Sequence, residues 1–280
     1  MKIIEINDFL DKELDIYVRL SEKQLINGIG GSDPERPMEN IFIAESPKVI
    51  DRALNAGYEA VSFLVEDSMI QGETKEVIEK AERLSGNNDI KVFSAPTNVL
   101  VKMAGFKLTR GVLSAMKRKE SKDPKELIKD KRRIAVLESV VNPTNVGAII
   151  RSAAALGVEA VLLTPDSADP LYRRALRVGM GTAFQVPWTY LDSCDDYIKD
   201  LHNLGFKTVA MALRENTVDI DDEELKKIGK MAILLGTEGE GLRESTIEQS
   251  DYTVKIPMAN GVDSLNVAAC SALCFFELTK

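Results

Sequence analysis

Ser264 and Asn266 are two polar side chains at the mouth of an otherwise apolar segment, Leu265–Leu278. They follow a strand-like stretch, Thr253–Ile256, and a turn at Asn260-Gly261. A strand that gives way to a helix leaves backbone N–H groups free to meet a ligand. A second stretch reads Leu234-Leu-Gly-Thr-Glu-Gly-Glu-Gly-Leu242. Glycines at 236, 239 and 241 let the backbone approach a ligand closely, but Glu238 and Glu240 sit between them. Two carboxylates do not suit a pyrophosphate, and no Lys follows as in a P-loop. The pattern suits a neutral or cationic ligand, such as a sulfonium. In the third stretch, Asn145-Val-Gly-Ala-Ile-Ile-Arg151, a guanidinium lies two turns along an apolar helix, where a bidentate grip on a phosphate is the matching chemistry. Thr144 or Asn145 is the expected cap of that helix, and Asp263 or Ser264 that of the last one.

The elements that must position these residues alternate. Strands are expected at Ile134–Glu138, Ala160–Leu163, Phe184–Trp188, Thr208–Leu213, Ala232–Leu235 and Thr253–Ile256. Helices are expected at Asn145–Leu156, Leu171–Val178, Cys194–Leu204, Leu242–Glu248 and Leu265–Leu278. Such regularity predicts an α/β fold with a mostly parallel sheet covered on both faces, and ligands at the carboxyl ends of its strands. The first part reads as a smaller α/β/α unit. It has a helix over Asn7–Leu25, a loop with Gly28, Gly30, Gly31, Pro34 and Pro37, strands at 41–44, 61–65, 90–94 and 111–114, and helices at 48–55, 74–84 and 96–103. The expected domains are 1–116 and 134–280, joined by a basic linker, 117–133, with nine Lys/Arg against four Asp/Glu.

Composition removes several classes of function. No apolar run reaches the roughly 20 residues of a membrane span, and the acidic N-terminus lacks a signal-peptide core. Cys194, Cys270 and Cys274 are odd in number and have no metal-type or CxxC spacing, so a reducing cytoplasm and no metal site are expected, with Cys270 and Cys274 as core residues on one helical face. The single histidine, His202, falls inside a helix. A net charge of −8 argues against general nucleic-acid binding, and no DNA partner is expected.

Together Asn145–Arg151, Leu234–Leu242 and Ile256–Ala268 resemble, in order and spacing, the three motifs of the SpoU/TrmH family. These are RNA ribose 2′-O-methyltransferases of the SPOUT superfamily that use S-adenosylmethionine. The resemblance covers residues 134–280. Phe42–Val61 resembles, less specifically, the family's N-terminal RNA substrate-binding domain. What the resemblance implies is a trefoil knot in the C-terminal domain, a homodimer with the site near the subunit interface, and an RNA substrate, with ribosomal RNA preferred over tRNA. It implies cofactor contacts at Leu213, Gly236, Ile256, Met258 and Leu265, and a catalytic surround of Asn145, Arg151, Glu238, Ser264 and Asn266. Thr237 stands where relatives often carry Ser or Asn. The family scheme has Arg151 aid deprotonation; a guanidinium stays protonated, so a clamp on phosphate is the physically easier role. A non-catalytic RNA-binding protein and a nucleotide-dependent oxidoreductase are the rival readings.

Overall fold

Short runs rich in Val, Ile, Leu and Phe make the strands of this chain, and Ser, Asp or Asn followed by Pro opens several of its helices. The structure is a computed structural model and describes residues 2–6, 12–27, 40–86, 89–104, 111–214 and 217–279. It divides into two compact units, one of residues 1–120 with 171–184, the other of 121–170 with 185–280.

The first unit contains β1 (Lys2–Glu5), β2 (Ile41–Glu45), β3 (Ala60–Glu66), β4 (Lys91–Ala95) and β5 (Val112–Lys117), in the sheet order β1-β4-β3-β5-β2. β5 runs antiparallel to both its neighbours and the other pairs are parallel. Its helices are α1 (Asp15–Val18), α2 (Glu22–Asn27), α3 (Pro47–Asn55), α4 (Glu73–Ser85) and α5 (Thr97–Ala104). The single helix expected over Asn7–Leu25 is instead a 3₁₀ turn at Lys12–Leu14 followed by α1 and α2. Ser21 and Gln24 account for the break: the Ser21 N–H donates to Gln24 Oε1 at 2.9 Å, and the Gln24 N–H returns to Ser21 Oγ at 3.4 Å. That reciprocal capping box starts a new helix. Residues 7–11 and the expected Gly28–Pro37 loop lie outside the described residues. β1, which the sequence reading did not anticipate, is a short edge strand beside β4.

The second unit holds α6 (Pro124–Ile128), β6 (Arg133–Leu137), α7 (Pro143–Ala155) and β7 (Ala160–Leu163). The chain then enters the first unit as α8 (Arg173–Gly179) and returns for β8 (Trp188–Tyr190), α9 (Tyr197–Asn203), β9 (Lys207–Met211), β10 (Val218–Asp219), α10 (Glu223–Lys226), β11 (Met231–Leu235), α11 (Glu244–Gln249), β12 (Tyr252–Lys255) and α12 (Val267–Leu278). The sheet order is β10-β12-β9-β11-β6-β7-β8, parallel throughout. Ile134, Val136, Leu162, Leu234 and Phe206 are buried in its core. The 117–133 stretch is more than a solvated chain: α6 is capped by Asp123 and buries Leu127 and Ile128.

Two further departures from the expected elements have identifiable causes. The strand expected at Phe184–Trp188 is a 3₁₀ turn at Thr182–Phe184 and a strand that begins only at Trp188, because Pro187 has no N–H to give a ladder. Helix 171–178, read as part of the second sheet's alternation, packs in the first unit. There the Arg173 guanidinium pairs with the buried Glu45 carboxylate at 3.0 Å, and Phe184 meets Phe42 and Tyr58.

Directly after β6, buried Glu138 fastens several parts of the second unit. It accepts from Tyr197 Oη at 2.7 Å, Thr246 Oγ1 at 2.6 Å and the Arg243 N–H at 2.7 Å. Burial first, then the adjacent carboxylate, push the Tyr197 hydroxyl well above the usual phenol range. Glu138→Ala strands all three donors, each worth about 1–3 kcal/mol when left unpaired, and should lower unfolding free energy by about 3 kcal/mol or more. Urea denaturation measures this; a loss under about 1 kcal/mol would contradict a fastening role.

Candidate functional site

β9, β11 and β12 are neighbours, and beyond their carboxyl ends lies a cavity of about 380 Å³. That volume lies within the range of small-ligand sites. The segments after the three strands supply its walls: Ala212 and Leu213, Gly236 to Gly239, and Ile256 with Met258; the approach to α12, Asp263 to Asn266, and α12 itself through Val267 and Cys270 complete them. Leu213 is 52% and Leu265 38% exposed, so two large apolar side chains face open space where an apolar ligand surface would cover them.

Gly236 is dictated by packing. A Cβ there would stand 2.2 Å from the Gly241 carbonyl carbon and 2.3 Å from the Leu242 nitrogen. Its missing side chain therefore makes room for the returning chain, a purpose different from the ligand approach that the glycines suggest in sequence. Thr237 and Gly241 close the return with reciprocal backbone hydrogen bonds of 3.2 Å. Gly239 and Gly241 take left-handed φ values of 94° and 75°, which side chains resist. This tight loop carries Glu238 at its turn.

The cap of α12 is Asn266, rather than Asp263 or Ser264. Its Oδ1 accepts from the Ala268 N–H at 2.9 Å and the Ala269 N–H at 3.4 Å. With the oxygen committed to backbone donors, the amide nitrogen must face acceptors, and it does: Nδ2 donates to Glu238 Oε1 and, at 3.3 Å, to Asn145 Oδ1. One carboxamide thus joins the three motifs. Asp263 and Ser264 stay in the extended approach to the helix and line the cavity.

Asn145 is buried inside the first turn of α7, whose cap is Asn142, accepting from the Thr144 N–H at 2.9 Å; Pro143 fills the first helical position. The Asn-Pro pair was the signal for that earlier start. Asn145 Nδ2 has no hydrogen-bond partner among the described residues. A buried donor left unpaired is destabilising, so this one suits a ligand acceptor. Arg151 does not line the cavity. It is exposed on α7, six residues beyond Asn145 and on a different side of the helix. Of the ten residues singled out in sequence, eight line the cavity, Asn145 joins it through Asn266, and Arg151 stands apart.

The SpoU rRNA Methylase family model matches residues 132–276. This chain belongs to that family. It is 34% identical over 265 residues to an uncharacterized tRNA/rRNA methyltransferase of Mycobacterium bovis, covering 94% of this chain and 88% of the relative. It is 37% identical over 147 residues to the 23S rRNA (guanosine-2′-O-)-methyltransferase RlmB of Vibrio vulnificus, covering 52% of this chain and 58% of that one. In fold it is similar to an rRNA methyltransferase of Sinorhizobium meliloti, with a TM-score of 0.76 at 22% identity over 99% and 98% of the two chains. All three SpoU motifs lie inside the matched range. Wall residues that the sequence reading missed include Lys255, Asp263, which it takes only as a cap, and Cys270, which it takes as core.

Gly236→Ala forces the Thr237–Gly241 loop off the strand end. Overpacking against backbone costs about 1–3 kcal/mol or more. The expected result is a lower melting temperature together with weakened S-adenosylhomocysteine binding by calorimetry; an unchanged loop would leave both at wild-type values.

Proposed function

We propose that this chain is an RNA methyltransferase that moves a methyl group from S-adenosylmethionine to a ribose 2′-hydroxyl of ribosomal RNA. The observation that carries this reading is the junction of Asn145, Glu238 and Asn266 beside a cavity at the strand ends. The name of the Vibrio vulnificus relative supports both the ribose position and the ribosomal target.

The cavity suits the cofactor. Leu213, Met258 and Leu265 offer apolar surface, while Glu238 and Asp263 bring two carboxylates and the basic residue of the wall, Lys255, is paired with Asp219 at 3.6 Å, a balance that favours a cation over a phosphate. Backbone groups at Gly236 and Ile256 would hold polar edges of the cofactor. When bound, S-adenosylmethionine supplies the methyl group as a sulfonium substituent. The work of the protein is then to fix a ribose oxygen about 3 Å from the methyl carbon. Asn145 donates its unpaired N–H to the RNA, Asn266 holds Glu238 and Asn145 in place, and Ser264 contacts the ribose. Arg151 clamps the adjacent phosphate and stabilises negative charge developing on the oxygen.

Arg151 reaches this chemistry from the surface, which is intelligible in a homodimer. α12 packs on α7 and leaves Ala269, Leu273 and Phe276 exposed along one side, with Leu273 46% and Phe276 53% accessible. A second copy of this chain is the occupant we assign to that apolar face, and its Arg151 completes the site of the first. The chain end would pass through a loop as a trefoil knot. Recognition of RNA falls to residues 1–116 and to the exposed Lys117, Lys119, Lys122 and Lys125. The protein works in the cytoplasm; among the described residues no helix is long and apolar enough to cross a membrane.

Labelled methyl should pass from S-adenosylmethionine to ribosomal RNA in an alkali-resistant form and fall at least about a hundredfold with Arg151→Ala. Label in tRNA alone would replace the substrate, and alkali-labile label would replace the chemistry. Phe276→Glu should yield monomers by light scattering and lose activity; an active monomer contradicts the dimer. Mixing and refolding the impaired Arg151→Ala and Asn266→Asp chains together should restore about a quarter of the sites, above the residual activity of either alone, if Arg151 acts across the interface. No recovery would put Arg151 in its own subunit's site.

A further inference from the structure

α12 carries two of the three cysteines one turn apart. Cys274 is fully buried, whereas Cys270 is only partly buried and lines the cavity. Their sulfurs lie 3.7 Å apart. A pair that merely filled the core would keep both thiols inside; here one is on the wall of a ligand site and the other directly behind it. Cys270 sits in the first turn, where its N–H bonds to the Asn266 carbonyl at 2.9 Å, near the helix end that favours an anion. The contact with the Cys274 thiol holds Cys270 below the ordinary thiol range, against the opposing effect of burial. The same contact, then burial, push Cys274 up. The nucleophile is the accessible member of the pair.

We propose that Cys270 is a redox-sensitive thiol of the cofactor cavity and Cys274 its resolving partner, so that oxidation by a peroxide closes the pair and expels S-adenosylmethionine. The inference rests on the reading of this cavity as the cofactor site. In the first step the Cys270 thiolate attacks a peroxide oxygen and breaks the O–O bond, giving a sulfenic acid and hydroxide. In the second, the Cys274 sulfur attacks Cys270, its proton leaves with the departing hydroxide as water, and the S–S bond forms. Two thiols lose two electrons, and the peroxide is reduced to two waters.

Closure reaches the site through helix geometry. Cβ atoms four residues apart on a helix are about 5–6 Å from each other, whereas a disulfide needs about 3.5–4.5 Å. The first turns of α12 must loosen to make the bond. That is the stretch capped by Asn266, whose amide holds Glu238 and Asn145. Oxidation therefore distorts the cavity wall and releases its polar junction in one event. Cys194 lies elsewhere, with its thiol on Asp166 at 3.5 Å, and serves as an internal control.

The test uses the full chain with hydrogen peroxide, thiol mapping by mass spectrometry, and calorimetry with S-adenosylhomocysteine before and after dithiothreitol. The expected result is a Cys270–Cys274 link, an affinity at least about tenfold weaker, and recovery on reduction. In Cys274→Ser a dimedone probe should trap the Cys270 sulfenic acid, and S-adenosylhomocysteine should block that labelling. In Cys270→Ser, binding at whatever level remains should no longer respond to peroxide. Both thiols staying reduced, or a linked pair that binds with unchanged affinity, would overturn the proposal. Leu265→Arg separates it from the underlying reading: if the reduced variant bound S-adenosylhomocysteine normally, the cavity assignment would fail irrespective of the cysteines.

Discussion

The carboxamide of Asn266 is the interaction on which the site depends. Its oxygen closes the open end of α12, and its nitrogen ties that helix to the Glu238 loop and to the buried Asn145 of α7. A side chain with a donor and an acceptor at fixed separation can do both tasks at once; Asp could supply only the cap, and a hydroxyl is too short to reach across. The three segments come from widely separated parts of the chain, and each is presented by a rigid element. Misplacement of any one is thereby transmitted to the others.

Packing imposes the second constraint. Gly236 admits the returning chain at the strand end, and the closed Thr237–Gly241 turn fixes where Glu238 points. On the other side of the loop, the Arg243 N–H is held by Glu138, a carboxylate fully satisfied within the core. The Glu238 loop is thus pinned at both ends, by a glycine contact and by a buried hydrogen bond. Among the described residues Asn145 Nδ2 has no hydrogen-bond partner, a local cost of the kind found at functional sites.

The parallel sheet was legible because alternating apolar strands and capped helices leave a periodic trace, and the motifs were legible because Gly, Asn and Glu are unusual at strand ends. Cap positions were less so. Asn142, Asp263, Ser264 and Asn266 are all competent caps, and only the fold decides which one meets free N–H groups. The role of Gly236 was hidden for a similar reason, since sequence does not reveal that Leu242 returns to touch it. The excursion of α8 into the first unit depends on the long-range pairing of Arg173 with Glu45, which no local pattern encodes. Cys270 and Cys274 share a helical spacing, yet their different exposures appear only once the cavity is in place.

The most direct measurement is methyl transfer to ribosomal RNA by Asn266→Asp beside its thermal unfolding. Asp caps a helix as well as Asn, so the melting temperature should stay within about 3 °C of wild type. A carboxylate facing Glu238 repels it and removes the donor to Asn145, so turnover should fall at least about tenfold. A stable variant with wild-type turnover would contradict the account, because the three motifs would then be assembled without the Asn266 amide.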